Sequence, residues 1–204
     1  MSKSSIFFAV AVLAAAVAAP ASAQGKVDRQ GLYVDVGVNY TLGVSGAELT
    51  GSSGEIIGQT TNVAGFTGAV GLGLKSNMFR LGFQYDMYSV NDVFATSGLK
   101  DATSYYTLAG TFYPSATDGF WGRLNLGYGS SKVSGASTAS GTSSGFAAGF
   151  AVGYDILMSG DKFAISPYLS YLGLLSGGDF GGDFSGAKAK NSVMQIGFTL
   201  GYKH

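Results

Sequence analysis

Val193 to Tyr202 reads V-M-Q-I-G-F-T-L-G-Y. Met194, Ile196, Phe198, Leu200 and Tyr202 are large and apolar, while Gln195, Gly197, Thr199 and Gly201 between them are small or polar. Strict alternation of this kind describes a β-strand with one face toward an apolar medium and the other toward something polar or crowded. Such a strand, with only Lys203 and His204 after it, must pair with another. The same alternation recurs through the chain and points to a closed barrel in a membrane.

Composition bounds the alternatives. The chain has 204 residues, enough for one domain of ordinary size. Glycine is abundant at 33 residues, and the charged share of 12% is about half the usual value. Twelve basic residues balance twelve acidic ones, so no nucleic-acid partner is implied. Cysteine is absent, which removes disulfides, thiolate metal sites and cysteine nucleophiles together. Past the N-terminus no apolar run is long enough for a spanning helix, so a membrane crossing has to be made by strands. At the N-terminus, Lys3, the apolar run Ile6 to Ala19 and the small-x-small triplet Ala21-Ser22-Ala23 form a secretory signal peptide. Residues 1–23 are expected to be removed, leaving 24–204 as one barrel domain with a polar lead from Gly25 to Gln30.

Eight strands follow, at Leu32–Leu42, Asn62–Leu74, Met78–Val90, Ala102–Tyr113, Phe120–Gly129, Gly145–Leu157, Lys162–Leu175 and Val193–Tyr202. Lys75-Ser76-Asn77, Pro114–Gly119 and Met158–Asp161 are short turns of turn-favouring residues. Ser45–Thr60, Asn91–Asp101, Ser130–Ser144 and Ser176–Lys190 are long polar loops. Short and long connections alternate, so all turns fall at one end and all loops at the other. That is the layout of a bacterial outer-membrane barrel, with periplasmic turns, external loops and both termini on the periplasmic side. The fold class read from the sequence is therefore all-β, an eight-stranded antiparallel transmembrane up-and-down β-barrel.

A soluble barrel with an apolar interior is the competing all-β reading. Two features oppose it. The polar face is built of Gly, Ala, Ser and Thr, with few of the Lys and Glu residues that a soluble surface carries. The aromatics of the apolar face also gather near the strand ends: Phe79, Phe112, Phe120, Tyr154, Phe163 and Tyr202 toward the turns, and Tyr40, Tyr85, Tyr106, Tyr128, Phe146 and Tyr171 toward the loops. Two aromatic belts are what two membrane interfaces require.

On this periodicity and layout, the chain resembles the small eight-stranded outer-membrane barrels of the OmpA/OmpX type and the opacity-like, porin-like superfamily. Gln195, Gly197, Leu200 and Tyr202 match the C-terminal insertion signal of such proteins. The resemblance implies a Gram-negative cell envelope, recognition by the barrel-assembly machinery, contact with outer-membrane lipid and lipopolysaccharide, and a monomer. The chain departs from the pattern by continuing with Lys203 and His204 beyond the terminal aromatic residue.

The polar face carries few charges: Asp35, Arg80, Asp86, Arg123 and Asp155. Counted back from the Ser130–Ser144 loop, Arg123 and Asp155 fall at similar heights on neighbouring strands and are expected to pair. Tyr33, Tyr88, Tyr105, Trp121 and Tyr168 share the interior, and eight strands enclose only enough space for side chains to fill. The reading is a plugged barrel with a structural or surface-interaction role exercised through its external loops. The alternative is a narrow passive channel for small molecules, encouraged by the Gly and Ala residues that face inward from Gly145 to Gly153.

Catalysis is not expected. Enzymes on such barrels use a histidine as base, and the single one here, His204, lies at the terminus away from any loop site. No cofactor motif is present. The tandem Gly177-Gly178-Asp179-Phe180 and Gly181-Gly182-Asp183-Phe184 departs from calcium-loop spacing and has too few carboxylates. It reads as an external loop presenting Phe180 and Phe184, with Lys188 and Lys190 beside them as candidates for contact with lipid headgroups or a partner surface.

Overall fold

The computed structural model describes residues 28–45, 63–91, 100–135, 140–158, 162–177 and 191–203. Residues 1–23, read above as a signal peptide, the loop residues Phe180, Phe184, Lys188 and Lys190, residues 178–184 of the tandem repeat and His204 lie outside the described residues. Eight long strands account for most of what is described: β1 (Gly31–Ser45), β2 (Ala64–Gly73), β3 (Phe79–Asn91), β4 (Lys100–Phe112), β5 (Phe120–Ser134), β6 (Ser140–Tyr154), β7 (Phe163–Gly177) and β8 (Asn191–Lys203). Ile156–Leu157 continue the line of β6. Each strand pairs antiparallel with its neighbours in sequence, and β8 pairs with β1, so the sheet closes on itself. Closure leaves no unpaired edge, the condition for strands to cross hydrocarbon.

Alternation does the sorting. In β3, Leu81, Phe83 and Met87 point out while Arg80, Gln84, Asp86 and Tyr88 are buried. Phe83 and Leu124 are each 67% exposed on the outer face, an arrangement a water-soluble barrel does not tolerate and a lipid-facing wall requires. Cross-strand aromatic pairs mark the belts. Phe79 with Phe112 and Phe163 with Tyr202 pack as tilted pairs near the turns at centroid separations of 5.0 and 5.1 Å. Tyr85 with Tyr106 does so near the loops at 5.0 Å. Tyr154 shares the outward row of Phe120 yet is almost fully covered.

Two differences from the sequence reading have physical causes. Ser130–Ser144 is not one loop, because β5 runs on to Ser134 and β6 begins at Ser140, with Ser130 facing Ser144 and Val133 facing Gly141. Apolar alternation disappears where the outer face leaves lipid, but backbone pairing persists. Inward Ser131, Val133 and Ser143 remain buried while Lys132 and Thr142 are exposed. Second, the line of β6 breaks at Asp155. Pairing with β7 runs through Gly153–Tyr168 and resumes at Ile156–Ile165, and Pro167, which has no N–H to donate, lies within the gap. The Asp155 amide instead donates to the Gly119 carbonyl at 2.9 Å.

The strands tilt steeply. Tracing partners from Asp35 through Ala69, Gln84, Thr107, Gly127, Ala147, Leu174 and Asn191 returns to β1 beyond Ser45. One circuit therefore climbs roughly ten residues, the stagger that a closed barrel needs. Residues at one height are consequently found on opposite walls, and directly paired neighbours are not level.

Candidate functional site

The interior is filled, and the way it is filled is the distinctive feature of the molecule. Asp35, Arg80, Asp86, Arg123 and Asp155 all point inward and are buried. The expected Arg123–Asp155 pair does not form. Register places Arg123 opposite Ala151, four positions before Asp155, and the tilt brings in partners from across the lumen. Arg123 on β5 pairs with Asp35 on β1 at 3.7 Å, and Arg80 on β3 pairs with Asp155 at 3.8 Å. The height count missed on the hairpin itself, since Arg123 lies seven residues before Ser130 and Asp155 eleven after Ser144, and it carried no information on the tilt that supplies the cross-lumen partners.

The two ion pairs differ in their hydrogen bonds. The Arg123 Nε donates to the Thr111 hydroxyl and its Nη1 to Gln84 Oε1, both at 2.9 Å, and the guanidinium lies 4.7 Å from the Trp121 ring centroid. Gln84 Nε2 donates in turn to Asp86 at 2.8 Å. One connected line thus runs from Asp86 through Gln84 and Arg123 to Asp35. Asp155 accepts from the Tyr113 hydroxyl at 3.0 Å and from the Ser166 hydroxyl at 2.8 Å. Arg80 sits between the rings of Tyr33 and Tyr113, 5.1 Å from each centroid. Pairing and hydrogen bonds offset the cost of burying these charges, although Arg80 relies on Asp155 and the two rings, its Nε and Nη2 having no hydrogen-bond partner among the described residues.

Several members of the site escaped the sequence reading. Arg29, placed in the polar lead, is 1% exposed and closes the turn end of the lumen. Its guanidinium stacks on Tyr113 at 4.0 Å, and it donates to the carbonyls of Asn77, Ser115, Ala116 and Asp118. The β2–β3 and β4–β5 turns are thereby tied together beneath the barrel. Burial lowers the pKa of this guanidinium from its ordinary value. Burial also holds the Tyr113 hydroxyl well above the tyrosine range, with Asp155 pushing the same way. Lys203, which follows the terminal aromatic residue, is a paired residue of β8 opposite Tyr33 and is buried in the lumen. Asp101 faces inward near the loops and accepts from Ser131 at 2.8 Å. Among the described residues, four basic and four acidic side chains are buried: Arg29, Arg80, Arg123 and Lys203 against Asp35, Asp86, Asp101 and Asp155. Arg29 had no sequence signal, because one arginine before a strand looks like any solvated residue.

Toward the loops the filling changes character. Tyr88, Val90, Tyr105, Val133, Ala147, Leu172, Leu174 and Val193 form a buried apolar cluster. A second cluster of Tyr113, Trp121, Ala151 and Tyr168 lies nearer the turns. The slot suggested by the inward Gly and Ala residues of β6 is occupied. A Cβ on Gly153 would fall 2.3 Å from the Trp121 ring, and one on Gly149 would meet Leu172. Glycine there makes room for the neighbour's bulk. Gly197, one of the residues matched above to an insertion signal, serves the same purpose for Tyr168. Of the other signal residues, Gln195 is buried in the lumen and Leu200 and Tyr202 face outward.

Solved structures align with this chain. Neisserial surface protein A aligns with a TM-score of 0.57 at 12% identity, covering 85% of this chain and 97% of that one. OprG from Pseudomonas aeruginosa aligns at 0.48 and 12%, covering 88% and 99%. The attachment invasion locus protein Ail of Yersinia pestis aligns at 0.48 and 12%, covering 85% and 99%. No protein-family model matches the sequence, and no curated protein matches it either. The closed ring of strands and the likeness to Neisserial surface protein A define the fold as that of the small eight-stranded outer-membrane β-barrels.

Proposed function

We propose that the protein is a non-enzymatic barrel of the bacterial outer membrane that does not conduct. It presents its loop end for surface interaction, with the turns and both termini in the periplasm. The observation that carries this reading is the pair of ion pairs spanning the lumen, Arg123–Asp35 and Arg80–Asp155. Together with Arg29 beneath them and the apolar cluster above, they occupy the cross-section at successive heights. A conduit needs a continuous wetted path, and here side chains from opposite walls meet across it. A monomer needs no partner wall, since every described strand is paired on both sides. The alternation of short turns with long connections supports the orientation.

The test is single-channel recording of the refolded mature protein in a planar bilayer, with insertion verified independently. Silence is expected for the wild type, and for Arg123→Ala, because Trp121 and Tyr168 still fill that level. Steady openings of the wild-type protein contradict the reading and favour the narrow passive channel.

A further inference from the structure

The outer face of β4 and β5 carries an ordered change of chemistry from mid-wall to loop end. Leu108 faces Leu126, then Tyr106 faces Tyr128, then Ser104 faces Ser130, and above these Ala102 faces Lys132 and Lys100 faces Ser134. Tyr106 and Tyr128 are about half exposed, and Lys100 and Lys132 are exposed as diagonal neighbours, close enough to act on one anion. Among the described residues these lysines are the charged side chains on the outer face at the loop end. Asp101 between them in sequence turns inward to Ser131. On the wall below, an apolar recess runs from Val36 of β1 across Phe66 of β2 and Phe83 of β3 to Leu108, Leu126 and Tyr128 of β4 and β5, so that its β4–β5 end lies on the lysines' side.

We infer that this face is a binding site for an anionic, phosphate-bearing lipid of the outer leaflet. An acyl chain would lie in the recess, the sugar or glycerol region would lie against Tyr106, Tyr128 and the serine hydroxyls, and phosphate would sit at Lys100 and Lys132. Each level matches one level of such an amphiphile. Aromatic rings suit the boundary between hydrocarbon and headgroup. Lysines near that boundary attract anionic headgroups. A solvated charged face needs no recess beneath it, and a plain lipid-facing wall needs no cation pair above its belt. The inference rests on the membrane reading above and specifies which lipid chemistry the loop end would take.

The experiment titrates the full mature chain, in phosphatidylcholine nanodiscs, with diphosphorylated lipid A and with its dephosphorylated form. Correct folding is checked by heat-modifiable gel mobility. Saturable binding of the phosphorylated lipid is expected, weakened roughly thirtyfold by Lys100→Gln with Lys132→Gln. Tyr106→Ala with Tyr128→Ala should weaken it as well, and inorganic phosphate should not compete. Lys75→Gln with Lys162→Gln, at the turn end, should leave it unchanged. Equal binding by the Lys100/Lys132 variant, equal binding of the dephosphorylated lipid, or an equal loss in the turn-end variant would overturn the assignment. Nanodiscs expose both ends, so the titration does not depend on which way the barrel crosses. Orientation is read separately, by labelling a cysteine placed at position 132 in intact cells.

Discussion

The two halves of the lumen are closed by different physics. Toward the turns, closure is electrostatic: Arg29, Arg80, Asp155 and Tyr113 interlock through ion pairing, hydrogen bonds and cation–ring contacts. Toward the loops it is mainly apolar: Tyr88, Tyr105, Leu172, Leu174 and Val193 pack against one another, with Asp101 held by Ser131 at the same end. The first kind is specific in direction but vulnerable, because a missing partner leaves a charge stranded. The second is insensitive to charge but responds to volume. The molecule therefore joins a brittle base to a tolerant upper plug.

The largest effect should come from stranding a charge. Asp155→Ala leaves Arg80 without its counter-charge and should cost about 4 kcal/mol in urea unfolding from lipid vesicles. Arg80→Met combined with Asp155→Leu should recover most of that loss, since the cost is chiefly the unpaired charge. In the apolar half, Leu172→Ala should cost about 3 kcal/mol, and Leu172→Met less than half as much, measured in the same way. Arg29→Ala loses the ring contact with Tyr113 and the carbonyl contacts and should cost about 1–2 kcal/mol. It should also raise protease cleavage within the Pro114–Gly119 turn. The smallest effect is alkaline. Because the folded-state pKa of Tyr113 is raised, its contribution is complete below about pH 10 and is lost as the pH rises through the folded value. Tyr113→Phe should flatten that part of the stability profile. If the charged half proved tolerant and the apolar half brittle, the contrast would be reversed.

Wall and lumen were unequally legible in the sequence. The wall was readable because lipid enforces strict alternation, as in Leu32 to Leu42 and Phe79 to Met87, and the aromatic belts set it apart from a soluble barrel. Much of the inward set followed by parity, including five of the eight buried charges and the five large aromatics. Pairing among them was hidden, because it depends on strand tilt, and a count from one loop cannot supply the stagger that sets Arg123 against Asp35. Arg29 and Lys203 were missed for another reason. They flank the alternating stretches, where burial is decided by tertiary closure and leaves no periodic trace. Lys203 looked like a flaw in the insertion signal and is instead a cation at the base of the lumen.

The most direct test of cross-lumen closure is a pair of double-mutant cycles, Arg123→Ala with Asp35→Ala and Arg123→Ala with Asp155→Ala, measured by equilibrium unfolding in lipid vesicles. Coupling of about 1–3 kcal/mol is expected for Arg123 with Asp35 and clearly less for Arg123 with Asp155. Strong coupling of Arg123 to Asp155, with none to Asp35, would contradict the closure described here and restore the neighbouring-strand pair.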